Sequence, residues 1–159
     1  MKAATITELK RELAGLTNQE LIDKCLRLAK YKKENKELLG YLLFDEDDQK
    51  TYIKSIKEKM DILFLEVKRF NIHFAKKNLR KILRVTNKYI KFSGNKQTEV
   101  ELLIYFCSKM KASGVRFKNY IVLLNLYERQ IQKIEKALTT LHEDLQYDYE
   151  REISELLEK

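Results

Sequence analysis

The chain has 159 residues, a length that fits one domain with a core of its own. Charged residues make up 35% and hydrophobic ones 44%, too apolar a mix for disorder and too charged for a membrane protein. The longest uncharged run, Asn119 to Tyr127, falls far short of the roughly 20 apolar residues that a span needs. The net charge of +8 points towards nucleic acid, acidic partners or an anionic surface. Lys outnumbers Arg by 24 to 8, and Lys lacks the two-pronged fork with which Arg reads phosphates and bases. There is no Pro and there are only four Gly, so few loops are signalled. Most of the abundant residues favour helix, and the expectation is an all-α protein, residues 1–159 forming a single helical domain.

The N-terminal residues 1–10 carry charge and no apolar stretch of the signal-peptide kind, so a cytoplasmic protein is expected. A first short helix is predicted from Thr7 to Ala14, with Leu9 and Leu13 as its buried edge and Gly15 at its end. Thr17 and Glu20 form a capping box, the clearest local start signal in the chain. Leu21, Cys25, Leu28, Tyr31 and then Leu38, Leu39, Leu42 and Leu43 continue it as one long helix. The acids Asp45 to Asp48 precede a third helix, where a helix N-terminus favours negative charge. Its apolar residues Ile53, Ile56, Met60, Leu63, Val67 and Phe70 follow a heptad.

The apolar stripe changes face near Phe70-Asn71, which predicts a loop or kink. A fourth helix uses Ile72, Ala75, Leu79, Ile82, Leu83, Thr86 and Ile90. Ser93-Gly94-Asn95 is a turn, and Gln97 or Thr98 opens a fifth helix. From Leu102 to Ser108 this helix carries no charge, so it is expected to be the most buried. The last segment, from about Phe117, repeats Leu124, Tyr127, Ile131, Ile134, Leu138, Leu141 and Leu145 as a heptad. It reads as one long C-terminal helix, which must either break near Thr139-Thr140 or project. The resulting expectation is an irregular bundle or short superhelix of five to six helices. The third helix is expected to cover the first part of the long one. The tail beyond Leu141 would then overhang and join two copies in a homodimer; the alternative is that it folds back at Thr139-Thr140 and covers its own monomer.

Charge is uneven. From Lys68 to Lys91 there are nine Lys or Arg and no acid. Lys77, Arg80, Lys81, Arg84, Lys88 and Lys91 fall on one face of the fourth helix, opposite its apolar stripe. They form a strip about 20 Å long at 1.5 Å per residue, long enough to touch several phosphates. Solvated helix faces usually mix signs, and this one does not. These six residues are the candidate contacts for a protein partner or for nucleic acid bound without sequence preference.

Other constellations are weaker. A helix-turn-helix would need a polar second helix, and the segment Val100 to Phe106 is apolar. The acids Asp45 to Asp48 lack the glycine of a calcium loop. His73 and His142 stand in no metal-binding spacing, and Cys25 and Cys107 read as reduced core residues. No catalytic residue, metal ligand or cofactor is assigned. Asn87-Lys88-Tyr89-Ile90-Lys91-Phe92, followed by Glu99-Val100-Glu101-Leu102-Leu103-Ile104-Tyr105, resembles a family of small bacterial helical proteins known only as a domain of unknown function. The opening Ile6 to Lys10 and Leu16 to Leu21 is similar to that family's start. The resemblance implies a helical fold in a bacterial cytoplasm and carries over no site residue. The expected function is a non-enzymatic interaction module. The alternative is an enzyme or metal-binding bundle with an unassigned site.

Overall fold

The computed structural model describes residues 3–158, and among these the protein is all-α, with eight α-helices. The chain falls into two compact units, one ending at Phe44 and the other beginning at Asp45.

The first unit holds α1 (Ile6–Ala14), α2 (Asn18–Tyr31) and α3 (Lys33–Gly40), and a π-helical turn, Tyr41–Asp45, runs out of it. Both of its first helices begin with a capping box. The Thr17 hydroxyl accepts from the Glu20 amide at 3.3 Å, and the Glu20 carboxylate accepts from the Thr17 amide at 2.8 Å. Thr5 and Glu8 repeat the device for α1, which therefore starts before Thr7. Gly15 ends α1 in right-handed conformation, φ −88°, so its conformational freedom is not what stops the helix.

The expected single helix from Thr17 to Leu43 is broken at Lys32, whose backbone is extended. A side chain explains the break. The Asn35 amide donates to the Leu28 carbonyl at 2.9 Å and satisfies a group that the helix end leaves without a partner. The predicted burial of this unit is also corrected. Leu9 and Leu13 are almost half exposed, Leu28 and Tyr31 are exposed, and α2 buries only Ala29. Cys25 is likewise exposed rather than a core residue.

The second unit contains α4 (Gln49–Leu65), α5 (Ile72–Ser93), α6 (Lys96–Ala112), a 3-10 turn (Phe117–Asn119), α7 (Ile121–Leu138) and α8 (Glu143–Leu157). Asp48 caps α4 by accepting from Thr51 N at 3.0 Å, which gives the acid run its structural role. Asn71 caps α5 in the same way, after a loop where the stripe was seen to change face. Phe70, placed on the α4 seam by its spacing, lies in that loop and is exposed. Gly94, at φ +59°, closes α5 in the left-handed conformation that glycine adopts without strain. Asn95, not Gln97 or Thr98, then caps α6, accepting from both of their amides.

α6 is the centre of the unit. It buries Val100, Leu102, Leu103, Ile104, Phe106, Cys107 and Met110, and it packs against α4, α5, α7 and α8. That surround excludes a helix-turn-helix, because α6 has no free face to enter a groove.

At the chain's end the break near Thr139-Thr140 occurs, and among the described residues no long C-terminal helix projects. α7 stops at Leu138, where the Thr139 and Thr140 hydroxyls bond back to carbonyls three residues earlier. The chain turns, and His142 caps α8 by accepting from Asp144 N. The main partner of the α7 seam is α6 and not α4, because α6 is apolar on nearly every side. The segment expected to overhang folds back on α6. Tyr149 and Leu156 are buried there, and Leu145 and Ile153 are half-buried. Two polar ties fasten it. The Tyr127 hydroxyl donates to Leu156 O at 2.9 Å, and the Lys111 ammonium donates to Glu155 O at 2.6 Å and Glu158 O at 3.1 Å. Part of that seam is thus covered within one chain.

Burial separates the two units energetically. Phe106→Ala, at a fully buried ring, should cost about 3–5 kcal/mol in urea denaturation. Leu13→Ala, at a half-exposed site, should cost under about 1 kcal/mol. Equal losses would contradict this placement of the core.

A candidate basic interface on α5

α5 has two faces of opposite chemistry. Ala75, Leu79, Ile82 and Thr86 are buried, and the Thr86 hydroxyl is satisfied by the Ile82 carbonyl at 3.0 Å. The spacing of three or four residues keeps them on one stripe. Lys77, Arg80, Lys81, Arg84, Lys88 and Lys91 occupy the opposite side, and all but Lys88 are exposed.

The six are not equivalent. Glu66 holds Lys81 at 3.3 Å. Lys88 is half-buried and leans over the Tyr89 ring, 4.7 Å from its centroid, and towards Phe92. Lys77, Arg80, Arg84 and Lys91 make no ion pair among the described residues. A shallow depression of about 680 Å³ lies along the N-terminal half of the strip, lined by His73, Phe74, Lys76, Lys77, Arg80 and Arg84 among others. Lys76, His73 and Phe74 join the strip residues only in the folded chain. Lys76 lies off the centre of the strip but reaches the same depression.

A larger cavity of about 900 Å³ lies where α4 and α6 begin, beside Lys50, Lys54 and Lys57. Helix N-termini and lysines would suit an anion. Here the chain supplies the counter-groups. Asp48 and Asn95 cap the two helices, and Glu101 pairs with Lys57 at 3.3 Å.

Two polar clusters could be mistaken for catalytic ones. Tyr105 donates to Asp61 at 2.7 Å, and Lys109 pairs with the same carboxylate at 2.6 Å. Partial desolvation works against ionisation of Asp61, but the bonds from Lys109 and Tyr105 outweigh it, and its carboxyl titrates below the ordinary range. Burial and the same carboxylate push the Tyr105 hydroxyl up, and the bond to Asp61 raises Lys109. Lys109 stays charged and Tyr105 stays protonated, so neither acts as a base at neutral pH. Tyr149, which donates to Glu101 at 3.0 Å, is pushed up to about 12, chiefly by burial. Burial also raises the Cys107 thiol to about 12, so it is no nucleophile. His73 lies in the first turn of α5, His142 caps α8, and the described residues contain no group of three or more His, Cys, Asp or Glu able to hold a metal. No helix among them is long and apolar enough to cross a membrane.

Comparison with protein-family models, curated proteins and solved structures finds no match for the chain.

The Asp61 cluster gives a pH test. A carboxylate whose pKa is depressed by folding stabilises the fold above its unfolded value and loses that contribution as pH falls through its folded value. Asp61 is partly exposed, so its pair is screened and the effect is small. Asp61→Asn should lower stability by under about 1 kcal/mol at neutral pH, and the deficit should vanish in acid. A deficit independent of pH, followed by urea denaturation, would mean the charge is not what matters.

Proposed function

We propose that the chain is a non-enzymatic helical interaction module that binds a polyanionic macromolecule through the outer face of α5. One observation carries this reading. A helix buried on one side presents Lys77, Arg80, Arg84 and Lys91 on the other, and no described acid pairs with those four. They span about 21 Å at 1.5 Å per residue, and a continuous helix packed on α6 holds them in fixed register. A rigid row of like charges is costly to leave facing itself and is relieved by a polyanion, whose counterions are released on contact. Packing as an irregular bundle favours such a use, because the core needs only one face of α5. The reading goes with action in the cytoplasm, and the likeness to small bacterial helical proteins adds no binding residue to it.

The salt dependence tests it. Four unpaired cations on duplex DNA should give a slope of log K against log salt of about −3.6, at about 0.9 per phosphate neutralised. Charge reversal at two exposed positions, R80E with R84E, should abolish binding and leave the circular dichroism spectrum unchanged. Retained affinity in that double variant, or no binding at low salt, would reject the proposal.

A further inference from the structure

An apolar groove adjoins the basic strip at its N-terminal end. It encloses about 370 Å³ between the start of α5 and the start of α7, and Ile72, His73, Lys76, Tyr120, Ile121 and Val122 line it. His73 and Lys76 also line the basic depression, so the two surfaces are continuous. The groove's mouth is open. Tyr120 is 44% exposed and Ile121 67%, and Phe74 beside it is 48% exposed. Tyr120 occupies the cap position of α7, yet its side chain makes no capping bond. A position that favours Ser, Thr, Asp or Asn is thus held by an aromatic ring at the mouth of a groove.

We propose that the polyanion bound by α5 is a single-stranded nucleic acid, and that one of its bases enters this groove against His73 and Tyr120. The inference rests on the function proposed above. Two features of the surface have to be explained together. The cations suit any polyanion, but ring faces beside Ile72, Ile121 and Val122 at one end of a charged strip add nothing to phosphate binding. Single-strand sites combine a positive track for the backbone with rings on which bases stack. The spacing agrees. From His73 to Arg80 the helix rises about 10 Å, so a strand whose phosphates lie on Arg80 and Arg84 brings a base to the groove one or two nucleotides away. A duplex keeps its bases paired and stacked and would have to flip one out to use the groove, at a cost of a few kcal/mol. An acidic helix from a protein partner is the rival occupant. It would use Ile121 and Val122 and would gain less from His73, Phe74 and Tyr120.

The test compares three fluorescent probes on the intact chain: an oligo-dT strand, a duplex of the same length, and a polyglutamate peptide of the same charge. Fluorescence anisotropy at two salt concentrations gives the affinities. The strand should bind tightest. Tyr120→Ala should weaken the strand by about fivefold to a hundredfold, the range that stacking of a base on a ring commands, and change the duplex by less than about twofold. Tyr120→Phe should restore strand binding. His73→Ala, on a different helix, is the second variant should Tyr120→Ala disturb the start of α7. Equal binding of strand and duplex, with neither variant selective, would overturn this inference and leave the polyanion reading standing. Tighter binding of polyglutamate would overturn it in favour of an acidic protein. Salt-independent or absent binding of all three probes would remove both.

Discussion

The fold of the second unit depends on α6. A helix apolar on nearly all sides cannot lie on a surface, since each large side chain left in water forfeits roughly 1.5–3 kcal/mol. The chain meets this demand by placing α4, α5, α7 and α8 around it. Each surrounding helix need commit only one face, and the rest is left to other work. α5 uses that freedom for charge, while α8 uses two buried residues and a lysine-capped end to stay in place. The basic strip is therefore a by-product of packing in position, though not in composition. Packing on α6 determines where the outer face of α5 points, but nothing in it requires that face to carry only cations.

The two units differ in how far their apolar residues are used. In the second, a contiguous set around Phe106 is fully buried. In the first, Ile6, Leu9, Leu13, Ile22 and Leu26 stay substantially in water, and α1 buries nothing. Capping boxes define the helices there, but burial contributes little to them. That unit's stability thus rests on local terms of a kilocalorie or so each.

Signals that act within a few residues were legible in the sequence. Thr17 with Glu20, the acids ending in Asp48, and Ser93-Gly94-Asn95 all mark boundaries near where the structure has them. The strip on α5 was legible too, because helical spacing alone decides which residues share a face. What was not legible depended on partners distant in sequence. The break at Lys32 is made by a side chain seven residues from the carbonyl it satisfies. The fold-back of α8 needs α6 beneath it and the Tyr127 and Lys111 ties. Lys88 belongs to the strip by spacing, but it is half-buried and lies over the rings of Tyr89 and Phe92. The groove at Tyr120 left no trace in the sequence, where Asn119 is the residue suited to cap α7, although Tyr120 holds that position.

The central claim is that phosphates bind on the outer face of α5 and are not spread over every lysine of a basic protein. Residue-resolved amide chemical shifts, followed while inorganic polyphosphate is added, test it most directly. The account expects the shifts to concentrate between His73 and Lys91, with the buried α6 amides of Leu102 to Cys107 unmoved. Shifts of similar size at Lys24, Lys30 and Lys33 in the first unit and at Lys133 and Lys136 on α7 would contradict it.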